Sequence, residues 1–172
     1  MFYCEKLLRE LFRAKVPYLV VGGMAVNLHG YDRSTGDLDI MVSLKSADVK
    51  RLVRAVKAIG FKPRLPVSLD DLAEPEKRRV WIEEKNMLVF SVYNPALEFE
   101  QVDILIVDDM DFSQAYLRRE DIRAGDTVIS LISIPDLIRM KKKAGRKTDK
   151  IDIEALETIE RIRRHASKKR DR

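Results

Sequence analysis

Along the chain, apolar and polar residues alternate with two periods, one suited to helices and one to strands. Leu7, Leu8, Leu11 and Phe12 recur at helical spacing and predict an amphipathic helix over Glu5 to Arg13, ended by Lys15-Val16-Pro17. Tyr18-Leu19-Val20-Val21 is an unbroken apolar run, as a buried strand requires, and it stops at Gly22-Gly23. Met24 to His29 predicts a helix with Gly30 as its stop, and Asp37 to Ser43 a second strand. Beyond Ser46, a good N-cap residue, Val49, Leu52, Val53, Val56 and Ile59 mark one face of a helix closed by Gly60.

Phe61-Lys62-Pro63 predicts a short strand, and Pro66 to Glu76 a polar, proline-marked loop. Asp70, Asp71 and Glu74 in that loop read as charge facing water. Val80-Trp81-Ile82 fits a helix or a strand equally, with Trp81 a packing residue. Met87 to Tyr93 and Phe99 to Val107 predict two strands of a hairpin joined at Asn94-Pro95. Asp111 to Arg119 predicts a short helix, and Gly125-Asp126 introduces a strand over Thr127 to Ile134. Pro135 then opens a helix with Leu137, Ile138 and Met140 on its buried side and Lys141 on the inward edge. In a last helix, Asp149 to about Arg164, the residues Ile151, Ala155, Leu156, Ile159 and Ile162 supply a docking face. Beyond His165 only Ala166 is apolar, which predicts a frayed tail.

The fold class is therefore α/β (α+β): a small mixed sheet from the strands at Tyr18, Asp37, Met87, Phe99 and Thr127, flanked by helices. A length of 172 residues suits one domain, with a core over about 17–134, a helical element over 135–165 and a basic tail over 166–172. No apolar run approaches the roughly 20 residues of a membrane helix. Glu5, Arg9, Glu10 and Arg13 break up what a signal peptide would need, and the single cysteine, Cys4, excludes an internal disulfide, so a cytoplasmic protein is expected. The formal charge of +5 is uneven: from Arg161 to Arg172 seven Lys or Arg face one Asp, a net +6, which leaves −1 for all that precedes. The basicity belongs to the tail.

The chemistry gathers around the glycine pair. On a strand, residues two apart share a face, so Asp37 and Asp39 are expected side by side, opposite Leu38 and Ile40. Two adjacent carboxylates repel unless a cation lies between them, and all-oxygen ligands suit magnesium. A glycine turn opening a helix offers N–H groups to phosphate, making Gly22 and Gly23 candidates to seat one. Asp103, set in the apolar run Val102 to Ile106, is costly there unless metal or hydrogen bonds compensate it. Asp108, Asp109 and Asp111 read as turn and cap residues, and His29 as structural or surface.

Val21-Gly22-Gly23 followed by Asp37-Leu38-Asp39-Ile40 resembles the signature of the nucleotidyltransferase superfamily, the DNA polymerase β-like fold. Arg33-Ser34-Thr35, and the run from Asp136 through Lys141 and Arg146 to Asp152, are similar to small prokaryotic members, including AbiE-type toxins. The resemblance implies transfer of a nucleoside monophosphate from an NTP to an acceptor hydroxyl, with two Mg2+ ions held by Asp37, Asp39 and Asp103. It further implies Asp103 as proton acceptor and Arg33, Ser34, Thr35, Lys141 and Arg146 as triphosphate contacts, with Asp149 and Asp152 orienting the basic groups. The implied acceptors are tRNA or other RNA, a protein hydroxyl, or an aminoglycoside-type small molecule, and a toxin would have a cognate antitoxin as partner. The basic tail favours RNA. A non-catalytic nucleic-acid-binding or antitoxin-partner module and a metal-dependent phosphohydrolase are the alternatives.

Overall fold

Pairing between distant strands, more than any local helix, sets the architecture. The computed structural model describes residues 4–107 and 110–170, with side chains described through 166. Its elements are α1 (Glu5–Arg13), β1 (Tyr18–Val21), α2 (Gly22–His29), β2 (Leu38–Val42), α3 (Ser46–Ala58), β3 (Lys62–Pro63) and a 3-10 turn (Leu69–Ala73). They continue with α4 (Pro75–Lys85), β4 (Val89–Asn94), β5 (Leu97–Leu105), α5 (Phe112–Leu117), β6 (Glu120–Ala124), β7 (Thr127–Leu131), α6 (Ile134–Ala144) and α7 (Lys147–Arg170).

The strands form one mixed sheet in the order β3-β4-β5-β2-β1-β7-β6. β1 pairs antiparallel with β2 and parallel with β7, while β2 runs parallel to β5. Every residue of β1 is buried, which explains why its sequence is uniformly apolar and not alternating. On β4 and β5 the pattern does alternate. Phe90, Val92, Val102 and Ile104 point into the core, where Trp81 of α4 lies 5.4 Å from Phe90, ring centre to ring centre. Their neighbours Ser91, Tyr93, Gln101 and Asp103 share the other face and are half-buried.

Several boundaries depart from the sequence reading, each for a local reason. α2 begins at Gly22 and not at Met24, so both glycines lie in its first turn. β2 begins at Leu38, leaving Asp37 in the preceding loop: the β1 ladder ends at Val21 opposite Asp39, and the β5 ladder begins one residue earlier, at Leu38 opposite Val102. In the proline-marked loop, a capping box between Ser68 and Asp71 builds the 3-10 turn, and Pro75 opens α4, which includes Val80 to Ile82. β6 is an edge strand absent from the sequence reading. Its Glu120, Asp121 and Arg123 hide the alternation, and it is defined by pairing with β7 across Gly125.

β7 stops at Leu131 because Ser133 caps α6, its side chain accepting from the Asp136 N–H. α7 runs on to Arg170 where a frayed tail was expected. Its docking face is also rotated from the expected one: Leu156 is fully buried, but Ile151 and Ile162 are 57% and 61% exposed. Buried Asp149 and Asp152 occupy the inward positions instead, held by Lys141. No described helix is long and apolar enough to cross a membrane.

Because Ile104 is 1% exposed and paired with both Ile40 of β2 and Phe90 of β4, Ile104→Ala should cost about 2–5 kcal/mol of unfolding free energy in urea titration. Leu117→Ala, at a residue 74% exposed, should cost about 0.5 kcal/mol or less. Equal losses would contradict this packing.

Candidate active site

The site starts where β1 ceases to be a strand. Gly22 adopts φ +65°, the left-handed region that favours glycine, and turns the chain directly into α2. Its missing side chain matters twice, since a Cβ there would overlap the Asp39 carboxylate and lie 2.7 Å from its Cγ. A Cβ on Gly23 would sit 2.6 Å from Thr35 Oγ1 and 3.3 Å from Arg33 Cζ. The pair thus lets the first turn of α2 rest between Asp39 and the Arg33–Thr35 loop. Val21, the N-cap residue, makes no side-chain cap and the first turn holds no acid, so its N–H groups suit an anionic guest.

Asp39 and Asp103 are register partners on parallel strands β2 and β5, whose spacing is about 4.8 Å. Ser91 Oγ and Gln101 Nε2 donate to Asp103 Oδ1 at 2.6 and 3.2 Å, fixing that carboxylate. No described hydrogen bond reaches its Oδ2. Burial, then the charges of Asp103 and Asp37, push Asp39 up to about 6, against the opposing pull of Arg146 and Lys141. Asp37 is exposed at the loop end, near enough for its charge to act on Asp39, so the three acids come from one loop and two strands.

Whether these groups fit magnesium is a question of donor chemistry. Among the described residues no three acidic, histidine or cysteine side chains close into a ready-made metal cage. Magnesium seldom uses one: it takes one or two carboxylates and fills the rest of its shell with water and substrate phosphate. Asp39 and Asp103, with Asp37 alongside, offer that open all-oxygen set, and the repulsion that adds to burial in raising Asp39 is what a cation would relieve. The residues fit the ion.

The basic residues divide into two kinds. Lys141 is buried, and its ammonium donates to Asp152 Oδ2 at 2.7 Å and Asp149 Oδ1 at 3.3 Å. Arg33 Nη1 donates to the same Asp152 oxygen at 2.6 Å, and Asp149 Oδ2 accepts from the Arg146 backbone N–H at 2.9 Å. This network ties the Arg33 loop, α6 and α7 together with every buried charge paired. The Arg146 side chain is exposed, and among the described residues its guanidinium has no ion pair. It is the stronger of the two cations acting on Asp39. Ser34 is exposed and Thr35 half-buried against Gly23.

Asn27 was not singled out from the sequence. Its side chain accepts from the Arg33 N–H at 3.1 Å and donates to the Arg33 carbonyl at 2.9 Å, bracing the loop against α2. Ser91 and Gln101 were missed too, although each alternates with apolar neighbours on the face that carries Asp103. His29 is structural: it is buried, its Nε2 pairs with the Ile132 carbonyl at 2.8 Å, and burial lowers its pKa. Asp111 caps α5, accepting from the Gln114 N–H at 3.1 Å, as expected of a cap residue. Asp108 and Asp109 lie outside the described residues. A groove of about 740 Å3 between α3 and the 3-10 turn is lined by none of the candidate residues.

The seven-strand mixed sheet flanked by helices is a fold this chain shares with solved nucleotidyltransferases. The chain is similar to the lincosamide antibiotic adenylyltransferase LnuA, lincomycin-bound: 19% identity over 91% of this chain and 98% of that one, TM-score 0.57. It is similar to an antigenic nucleotidyltransferase-like protein from Paracoccidioides brasiliensis, with 19% identity over 87% of this chain and 71% of that one, TM-score 0.53. It also matches ANT(2'')-Ia in complex with adenylyl-2''-tobramycin, with 16% identity over 97% and 95% of the chains, TM-score 0.50. No protein-family model matches the sequence, and no curated protein does.

The raised Asp39 carries a sign. In metal-free protein the folded state keeps this proton up to about pH 6 while the unfolded chain loses it near 3.8. Stability should therefore fall as pH rises between those values and level off above. Asp39→Asn should remove that slope in urea titrations run with chelator. An identical slope in variant and wild type would contradict it.

Proposed function

We propose that the protein is a magnesium-dependent nucleotidyltransferase that moves a nucleoside monophosphate from an NTP onto an acceptor hydroxyl and releases pyrophosphate. The observation that carries this reading is the in-register pair Asp39 and Asp103 lying against a helix start that only glycines allow. Magnesium bound by Asp37, Asp39 and Asp103 would neutralise phosphate charge and favour the ionised acceptor oxygen. The N–H groups at the start of α2, at Gly22 and Gly23, bind phosphate oxygens, and the open guanidinium of Arg146 counters the charge of the departing pyrophosphate.

The acceptor oxygen attacks the α-phosphorus, the bond to pyrophosphate breaks, and Asp103 Oδ2 takes the hydroxyl proton. Ser91 and Gln101 hold Asp103 by its other oxygen for that task. Lys141 and Arg33 are held in place by Asp149 and Asp152 and act on the triphosphate from fixed positions, with Ser34 and Thr35 adding hydroxyls from the same loop. Within this reading the AbiE-like role, with RNA as acceptor and a cognate antitoxin, is supported by Arg33-Ser34-Thr35 and by the Lys141–Asp152 run. A small antibiotic-like acceptor is the second reading, favoured by likeness to a lincomycin-bound adenylyltransferase over 98% of that chain.

The test follows α-phosphate label from each of the four triphosphates into total RNA, protein and a panel of aminoglycosides and lincosamides. Label should enter one pool, and Asp103→Asn should slow its transfer about 10²–10⁴-fold. Release of inorganic phosphate instead of pyrophosphate, or equal rates in variant and wild type, would overturn the proposal.

A further inference from the structure

Of the two donors that hold Asp103 Oδ1, one is an amide with two ways to face. Gln101 carries an acceptor oxygen at one end of that amide and donors at the other. Its Nε2 donates to Asp103 Oδ1 at 3.2 Å, and its Oε1 accepts from Arg64 Nε at 3.0 Å. A guanidinium only donates and an ionised carboxylate only accepts, so these two charged ends admit one orientation of the amide. Turned round, it would set its oxygen against the carboxylate and its nitrogen against the guanidinium.

Arg64 is itself anchored by backbone and side chain. It follows Pro63, the last residue of the edge strand β3, and its backbone N–H donates to the Ser91 carbonyl at 2.9 Å. Its guanidinium lies over the Tyr93 ring, 5.2 Å from the centre, and Tyr93 is the register partner of Gln101. Stacking of this kind fixes the plane of the guanidinium and so the direction of its N–H groups. Ser91 is the other donor to Asp103 Oδ1, at 2.6 Å, so Arg64 braces both residues that hold the carboxylate. The positive charge acts on Asp103 through a neutral amide. A direct ion pair would cover carboxylate oxygen that a metal ion or a proton needs, whereas the amide leaves Oδ2 to them.

We propose that Arg64 is a positioning residue for nucleotidyl transfer, setting the Gln101 amide so that Asp103 is held by Oδ1 and presents Oδ2 to the acceptor hydroxyl. The proposal rests on the nucleotidyl-transfer reading and adds to it a residue that touches neither the nucleotide nor the acceptor. Its action passes through Gln101.

The experiment compares wild type with Arg64→Ala, Arg64→Lys and Gln101→Glu. In proton–nitrogen NMR correlation spectra of the metal-free protein, the Gln101 side-chain amide signals are identified by their absence from Gln101→Glu. In Arg64→Ala they should move toward the position of a solvated amide. With α-phosphate label and the acceptor pool that wild type modifies, Arg64→Ala should lower kcat about 10–100-fold and leave the KM for NTP unchanged. Arg64→Lys, which keeps a donor for Oε1, should recover part of that loss. Gln101→Glu separates positioning from mere bracing, because a glutamate pairs more strongly with Arg64 yet offers Asp103 no donor. Its kcat should fall at least as far as that of Arg64→Ala. A kcat equal to wild type in Gln101→Glu would overturn the proposal, as would unmoved amide signals in Arg64→Ala. No transfer by the wild type would overturn the nucleotidyl-transfer reading and this role with it. Transfer by the wild type at an equal rate in Arg64→Ala would overturn the role alone.

Discussion

The contact between the Gly22 backbone and the Asp39 carboxylate is the constraint on which the rest of the site depends. A side chain at Gly22 would occupy the space of that carboxylate, and its φ of +65° would be strained for any L residue. Because the glycine is there, β1 can end and α2 begin within one residue, and the start of the helix lies against β2. Parallel pairing of β2 with β5 then sets Asp103 beside Asp39. Three strands, each apolar on the core side, thus deliver two carboxylates and a helix start to one place. The cost is electrostatic: Asp39 is pushed up to about 6 by burial and by the acids beside it.

The basic half of the site is organised differently. Lys141, Arg33, Asp149 and Asp152 neutralise one another as a set, and removing one member would leave a charge buried without its partner. That set also explains the position of α7, whose inward face combines Leu156 with two aspartates where a purely apolar stripe would be expected. Docking of the C-terminal helices and positioning of the Arg33 loop are therefore one event. Arg146, whose side chain lies outside the set, acts by its charge on Asp39.

How much was legible in the sequence follows from the range of each interaction. The strands at Tyr18, Asp39 and Asp103 and the helices around them were visible because their apolar periods are strong, and so the fold class was visible too. The glycine pair and the paired aspartates were visible because few other residue types can do their work. β6 was hidden because an edge strand needs no apolar alternation and takes its shape from β7. Asp37 looked like a strand residue because its dipeptide pattern continues that of Asp39, but the ladders to β1 and β5 reach only Asp39 and Leu38. Ser91, Gln101 and Asn27 gained their roles only from register and loop closure, which link residues up to 12 positions apart and leave no local trace. The engagement of Lys141 by two carboxylates was implied only by likeness, since its spacing fits a solvated helix edge equally well.

The central claim is that Asp39 and Asp103 await a cation together with a triphosphate. Its most direct measurement is calorimetric binding of a non-hydrolysable NTP analogue with and without magnesium, in wild type and in Asp39→Asn. The account predicts tight binding only when magnesium and Asp39 are both present. Equal affinity without the metal, or in the variant with it, would contradict a metal-dependent carboxylate site.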